Sequence, residues 1–148
     1  MRAFPMLLIA VALYNVAAFG GHLFNGAEDM GTMLDASYKV TMFSGAVWPF
    51  RLGDFLVLFA FVMLFIEVIR ATRTTKVEIY NHAFSTLVFV AALVEFLVVP
   101  RFATSAFFFI VVMCLFDIVA GFAISVVAAR RDLGLGAMDD GHHHTGAI

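Results

Sequence analysis

Four stretches of this chain are each apolar over about the length a helix needs to cross hydrocarbon, roughly 20 residues, and no soluble domain lies between them. The first, "FPMLLIAVALYNVAAFGGHLF", covers about 4–24; the second covers 47–69, the third 79–99 and the fourth 104–129. Pro5 stands at a tolerated first-turn position and Pro100 cannot continue the third ladder. Composition points the same way. The chain is 63% hydrophobic with 18 Phe, and only 14% of its residues are charged, against about 25% in an ordinary soluble domain. Its mean hydropathy is +0.99. The expectation is an all-α, polytopic membrane protein, one four-helix transmembrane bundle over 1–132, followed by a disordered cytoplasmic tail at 133–148. Its surroundings are the lipid bilayer.

Lysine and arginine bias orients such a chain. With the N-terminus inside, Arg2, Arg70, Arg73, Lys76, Arg130 and Arg131 face the cytoplasm, and Lys39, Arg51 and Arg101 face out. Both termini are therefore expected in the cytoplasm of a bacterial inner membrane, with the 21–46 loop outside. That loop mixes Met, Leu and Phe with acids, as an interfacial segment or short helix would. Arg2, the apolar run and "VAA" at 16–18 also suit a cleaved signal peptide over 1–18. Apolar character continues to Phe24, which favours a retained helix.

Net charge is −2, with no basic run and no phosphate-cradling glycine loop, so no nucleic-acid partner is expected. Cys114 is the single cysteine and forms no intrachain disulfide. No Ser/His/Asp or Cys/His set and no acid–base pair is readable. The chain is expected to be non-enzymatic and to carry no cofactor. His142, His143 and His144 in the tail have a composition able to bind transition metals weakly. His22 and His82 sit at opposite ends of their segments, which disfavours paired haem ligation.

The informative residues are the acids inside the apolar stretches. An Asp at mid-helix costs about 2.5–3.5 kcal/mol to insert, and Leu, Ile, Phe or Val returns about 0.3–0.6 each. Ten such residues lie between Phe107 and Val119, so Asp117 is affordable in a span. At 100° per residue Asp117, Gly121 and Ser125 share a face. Asn81, Ser85, Ala92 and Glu95 form another, and Gly53, Ala60, Glu67 and Ala71 a third, with Asp54 pointing elsewhere. Small-and-polar stripes of this kind mark helix–helix interfaces.

By rise along the helices, Asp117 and Asn15 fall near the midplane, Asp54 and Glu95 about 10 Å outward, and Glu67 about as far inward. Two readings compete. In one the acids hold the bundle together: Asn15 donates to Asp117, Arg51 or Arg101 reaches Asp54 and Glu95, and Glu67 pairs with Arg70. In the other they form a stepped proton or cation path in an oligomer. The first is preferred, and makes the chain an accessory or scaffold subunit that meets other membrane subunits, or copies of itself, through its small-and-polar faces. Asp54 and Glu95 at matching depth also make a remote metal pair.

The stretches "RLGDFLVLFAFVMLFIEVIRATRT", "STLVFVAALVEFLVVPRFATS" and "DIVAGFAISVVAARRD" resemble a group of small, uncharacterised four-helix bacterial inner-membrane proteins. The resemblance runs from about Arg51 to Asp132 and takes in Asp54, Glu67, Glu95 and Asp117. It implies the same topology and no particular chemistry. The signature patterns of small multidrug transporters and fluoride channels are absent from the sequence.

Overall fold

A computed structural model describes residues 4–24, 30–71 and 77–139, with side chains omitted at 21–24, 77–82, 128, 129 and 131–139. The chain is mainly helical. α1 (Leu7–Phe24) is followed by a short α2 (Met30–Leu34), strands β1 (Ser37–Thr41) and β2 (Val47–Arg51), α3 (Leu52–Ala71), α4 (Val77–Val98), a 3-10 turn (Pro100–Phe102) and α5 (Ser105–Asp139).

The strands correct the expectation of a helix from 47. Residues 47–51 pair antiparallel with 37–41 in a hairpin, Tyr38 opposite Phe50 and Val40 opposite Trp48. The turn explains it. The Gly45 amide donates to the Met42 carbonyl at 2.9 Å and the Met42 amide to the Ala46 carbonyl at 2.8 Å. Gly45 takes φ +82°, the left-handed conformation a three-residue hairpin loop requires at its last position. Pro49 is tolerated because a two-stranded ribbon has only edges. Helix then starts at Leu52, where the Asp54 carboxylate reaches back to the Arg51 amide at 3.0 Å, half of a capping box.

α3 and α5 start side by side. A methyl group added at Gly53 would lie 3.7 Å from Ala106 Cβ and 3.7 Å from Leu34 Cβ. Both helices run away from the hairpin, while α1 and α4 run toward it. Val99 is extended (φ −102°, ψ 115°) ahead of Pro100, as steric contact with the proline ring demands. The bundle is closed at the hairpin end by an aromatic knot. The rings of Tyr14, Phe102 and Phe107 are fully buried with centroids 4.6–5.5 Å apart. The Thr104 hydroxyl accepts the Phe107 amide at 3.2 Å, capping α5, and also meets the Tyr14 hydroxyl. Small residues Ala10, Ala60 and Ala92 are buried where helices cross, the condition for close backbone approach.

Among the described residues two helical stretches, Leu52–Ala71 and Ser105–Val127, are long and apolar enough to cross a membrane, rather than the four expected. The apolar parts of the other two helices, Leu7–Gly20 and Ala83–Val98, are shorter. The outward faces of these helices are apolar, with Phe61, Phe65, Leu87, Leu97, Phe116 and Phe122 all exposed. A contiguous apolar surface of this kind marks a membrane or protein contact. α5 also continues through 133–139, assigned to a disordered tail by its glycines. Gly134 and Gly136 weaken a helix by about 1 kcal/mol each without breaking it. Residues 140–148, including His142, His143 and His144, lie outside the described residues.

Tyr14→Phe removes the hydroxyl and keeps the ring, so unfolding of the detergent-solubilised protein is expected to cost about 1 kcal/mol less. Tyr14→Ala, which opens the knot, is expected to lose about 3–5 kcal/mol. Equal losses in the two variants would contradict the packing role.

Candidate functional site

The most deeply buried acids lie at the end of the bundle away from the hairpin, around the first turn of α1. The first amides of a helix have no partner within it. Here the Met6 and Leu7 amides donate to Glu67 Oε2 at 2.6 and 3.3 Å. Glu67 comes from the last turns of α3 and is 2% exposed. Its oxygen stands at the positive end of the α1 dipole, where an acceptor is favoured. Arg70, one turn on, donates from Nη1 to the Phe4 carbonyl at 3.4 Å. The expected Glu67–Arg70 pairing gives way to two contacts directed across to α1, because α1 starts where α3 ends.

Asp117 belongs to the same end. It is 2% exposed and lines, with Pro5, Leu7, Ser85, Val88 and Cys114, a crevice too tight for a water molecule. The 10 Å step inferred between Glu67 and Asp117 shrinks. From the adjacent starts at Gly53 and Ala106, Glu67 is only three residues deeper than Asp117, about 5 Å of helix rise. Counting from the middle of the fourth apolar stretch misplaced Asp117, since α5 runs on past that stretch.

Asn15 is eight residues beyond Leu7 along α1, about 12 Å, and so does not bond Asp117. Its Nδ2 donates to Glu95 Oε2 at 3.0 Å and to the Val11 carbonyl at 3.1 Å. This is the polar tie between α1 and α4. Arg101 does not serve Glu95; its Nη1 donates to the Ala18 carbonyl at 3.2 Å and its guanidinium lies 6.0 Å from the centre of the Phe19 ring. Arg51 meets Asp54 through its backbone amide, and its side chain lies 3.5 Å from exposed Asp35. Asp54 and Glu95 are thus engaged separately instead of forming a pair. Ser125 bonds back to the Gly121 carbonyl at 2.9 Å, a local contact within α5.

Most members of the small-and-polar stripes are buried within the chain, while Gly53, Glu95 and Ser125 are half-buried. Ala60, Glu67 and Ala71 of α3, Ser85 and Ala92 of α4, and Asp117 and Gly121 of α5 are buried. Periodicity identified the stripes but not which stripe meets which. The hairpin and the crossing to α1 were missed, although Ser44-Gly45 between Tyr38–Val40 and Val47–Phe50 is a hairpin signal. The side chains of His22, Asn81 and His82 lie outside the described residues. Among the described residues no three His, Cys, Asp or Glu side chains gather as metal ligands. No known family model, curated protein or solved structure matches the chain.

Glu67→Leu would leave one buried and one half-buried amide without their acceptor, an expected loss of about 2–4 kcal/mol in thermal or denaturant unfolding. Glu67→Gln keeps an acceptor oxygen and is expected to lose about half as much. Indistinguishable stabilities for the three proteins would contradict the capping role.

Proposed function

We propose that this chain is a non-enzymatic, multi-pass protein of the bacterial inner membrane, with four helices in the bilayer and both termini in the cytoplasm, acting as an accessory or scaffold subunit. The observation that carries the reading is that buried and half-buried polar side chains join helices of this chain to one another. Glu67 holds the start of α1 to α3, and Asn15 holds Glu95 and so ties α1 to α4. Groups used in this way hold helix register at about 0.6–2 kcal/mol per contact. The outward apolar faces of the helices suit lipid. Six basic residues at one end against three at the other orient the chain.

Since most of the polar stripes are buried within the chain, we place the contact with another subunit on a different surface. The hairpin presents Tyr38, Met42, Phe43 and Trp48, all exposed, beyond the bundle. Aromatic side chains of this kind favour both the membrane interface and protein contacts. Among the described residues the crevice at Asp117 is too tight for a water molecule, which supports the subunit reading over conduction.

Two measurements test the proposal. In a Cys114→Ala background, Ser44→Cys is expected to react with an impermeant maleimide from the outside of intact cells; labelling only after permeabilisation overturns the topology. Full-length protein isolated in mild detergent is expected to carry a stoichiometric partner or a second copy, lost on Phe43→Ser with the bundle intact, and to leave proton and cation gradients standing in liposomes. A dissipated gradient that Asp117→Asn abolishes would overturn the subunit reading in favour of conduction.

A further inference from the structure

A groove of about 670 Å³ opens where the hairpin and α2 meet the adjacent starts of α3 and α5. Its walls change character with depth. At the hairpin level it is lined by Asp35, Arg51, Asp54 and Ser105; deeper, by Val57, Leu58 and Phe61 of α3 and Phe109 and Met113 of α5. From Asp54 to Phe61 is about 10 Å of helix rise, most of the roughly 15 Å of hydrocarbon in one leaflet. Leu58, Phe61 and Phe109 are exposed, so the groove is open on the face that the proposed bilayer would cover. The order from polar mouth to apolar floor is that of a lipid molecule standing in the outer leaflet.

The mouth selects among lipids by charge. Asp35 and Asp54 carry two negative charges and Arg51 one positive, a local balance of −1. The Arg51 and Asp35 side chains are 54% and 72% exposed, 3.5 Å apart, leaving both open to further partners. A phosphate fits the Arg51 guanidinium, and an ammonium group beside it fits the two carboxylates. An anionic headgroup without an amine would meet two like charges instead.

We propose that the groove seats one amine-bearing zwitterionic phospholipid of the phosphatidylethanolamine class, its phosphate at Arg51, its ammonium between Asp35 and Asp54, and one acyl chain along Leu58, Phe61 and Phe109. This rests on the membrane orientation proposed above, which the Ser44→Cys labelling tests separately. The experiment is native mass spectrometry of the full-length protein released from nanodiscs of equal phosphatidylethanolamine and phosphatidylglycerol.

One retained phosphatidylethanolamine is expected, favoured over phosphatidylglycerol by about fivefold, the upper range for one exposed ion pair. Asp35→Lys changes the local balance to +1 and is expected to reverse the preference. Ala106→Trp, which fills the groove beside Gly53, is expected to remove both lipids. Equal retention of the two lipids, or retention unmoved by Asp35→Lys, marks only the surrounding bilayer and overturns the proposal. A lipid-free dimer closed through this face overturns it as well.

Discussion

The start of α1 rests on a carboxylate supplied by another helix, and the packing of the bundle follows from that contact. A helix beginning in apolar surroundings has amide groups that neither water nor its own carbonyls can satisfy. Glu67 supplies the acceptor from the end of α3, and burial strengthens the bond while making its loss expensive. Because this acid is committed to the first turn of α1, α1 must run antiparallel to α3 with its start at α3's last turns. Asn15 then comes level with Glu95 on α4, and Tyr14 with Phe102 and Thr104 beyond it.

The two ends of the bundle are held by different physics. At the far end hydrogen bonds from the first α1 amides to Glu67 carry the contact. At the hairpin end it is carried by aromatic packing and by a threonine that caps α5 while touching Tyr14. Between them the helices approach through alanine and glycine. Many large side chains, among them Phe61, Phe65, Phe116 and Phe122, face the outside, alongside a core that keeps Tyr14, Phe102, Phe107 and Ile110. In the proposed bilayer such outward side chains meet lipid, and polar contacts and close backbone packing direct association more than apolar burial does.

The helices were legible because hydrophobic length and proline are strong local signals; Pro100 ends α4 as its ring chemistry requires. The burial of Asp117, Glu67 and Ala60 was legible from 3.6-residue periodicity. Partner choice was not. A stripe says that a face is buried, but the register between helices depends on where each one starts in space, which the loops decide. Glu67 and Arg70 look like an i, i+3 pair in sequence, yet both reach α1. The hairpin was hidden because Val47–Arg51 reads equally well as the opening of an apolar helix, and only the turn at Gly45 distinguishes the two.

Hydrogen exchange at two amides tests the central contact most directly. If Glu67 holds α1, the Met6 and Leu7 amides exchange as slowly as those in the middle of the helix, and Glu67→Ala releases these two without exposing the rest of α1. If they exchange freely in the unaltered protein, as at a frayed helix end, then Glu67 is not the group that holds α1 in place.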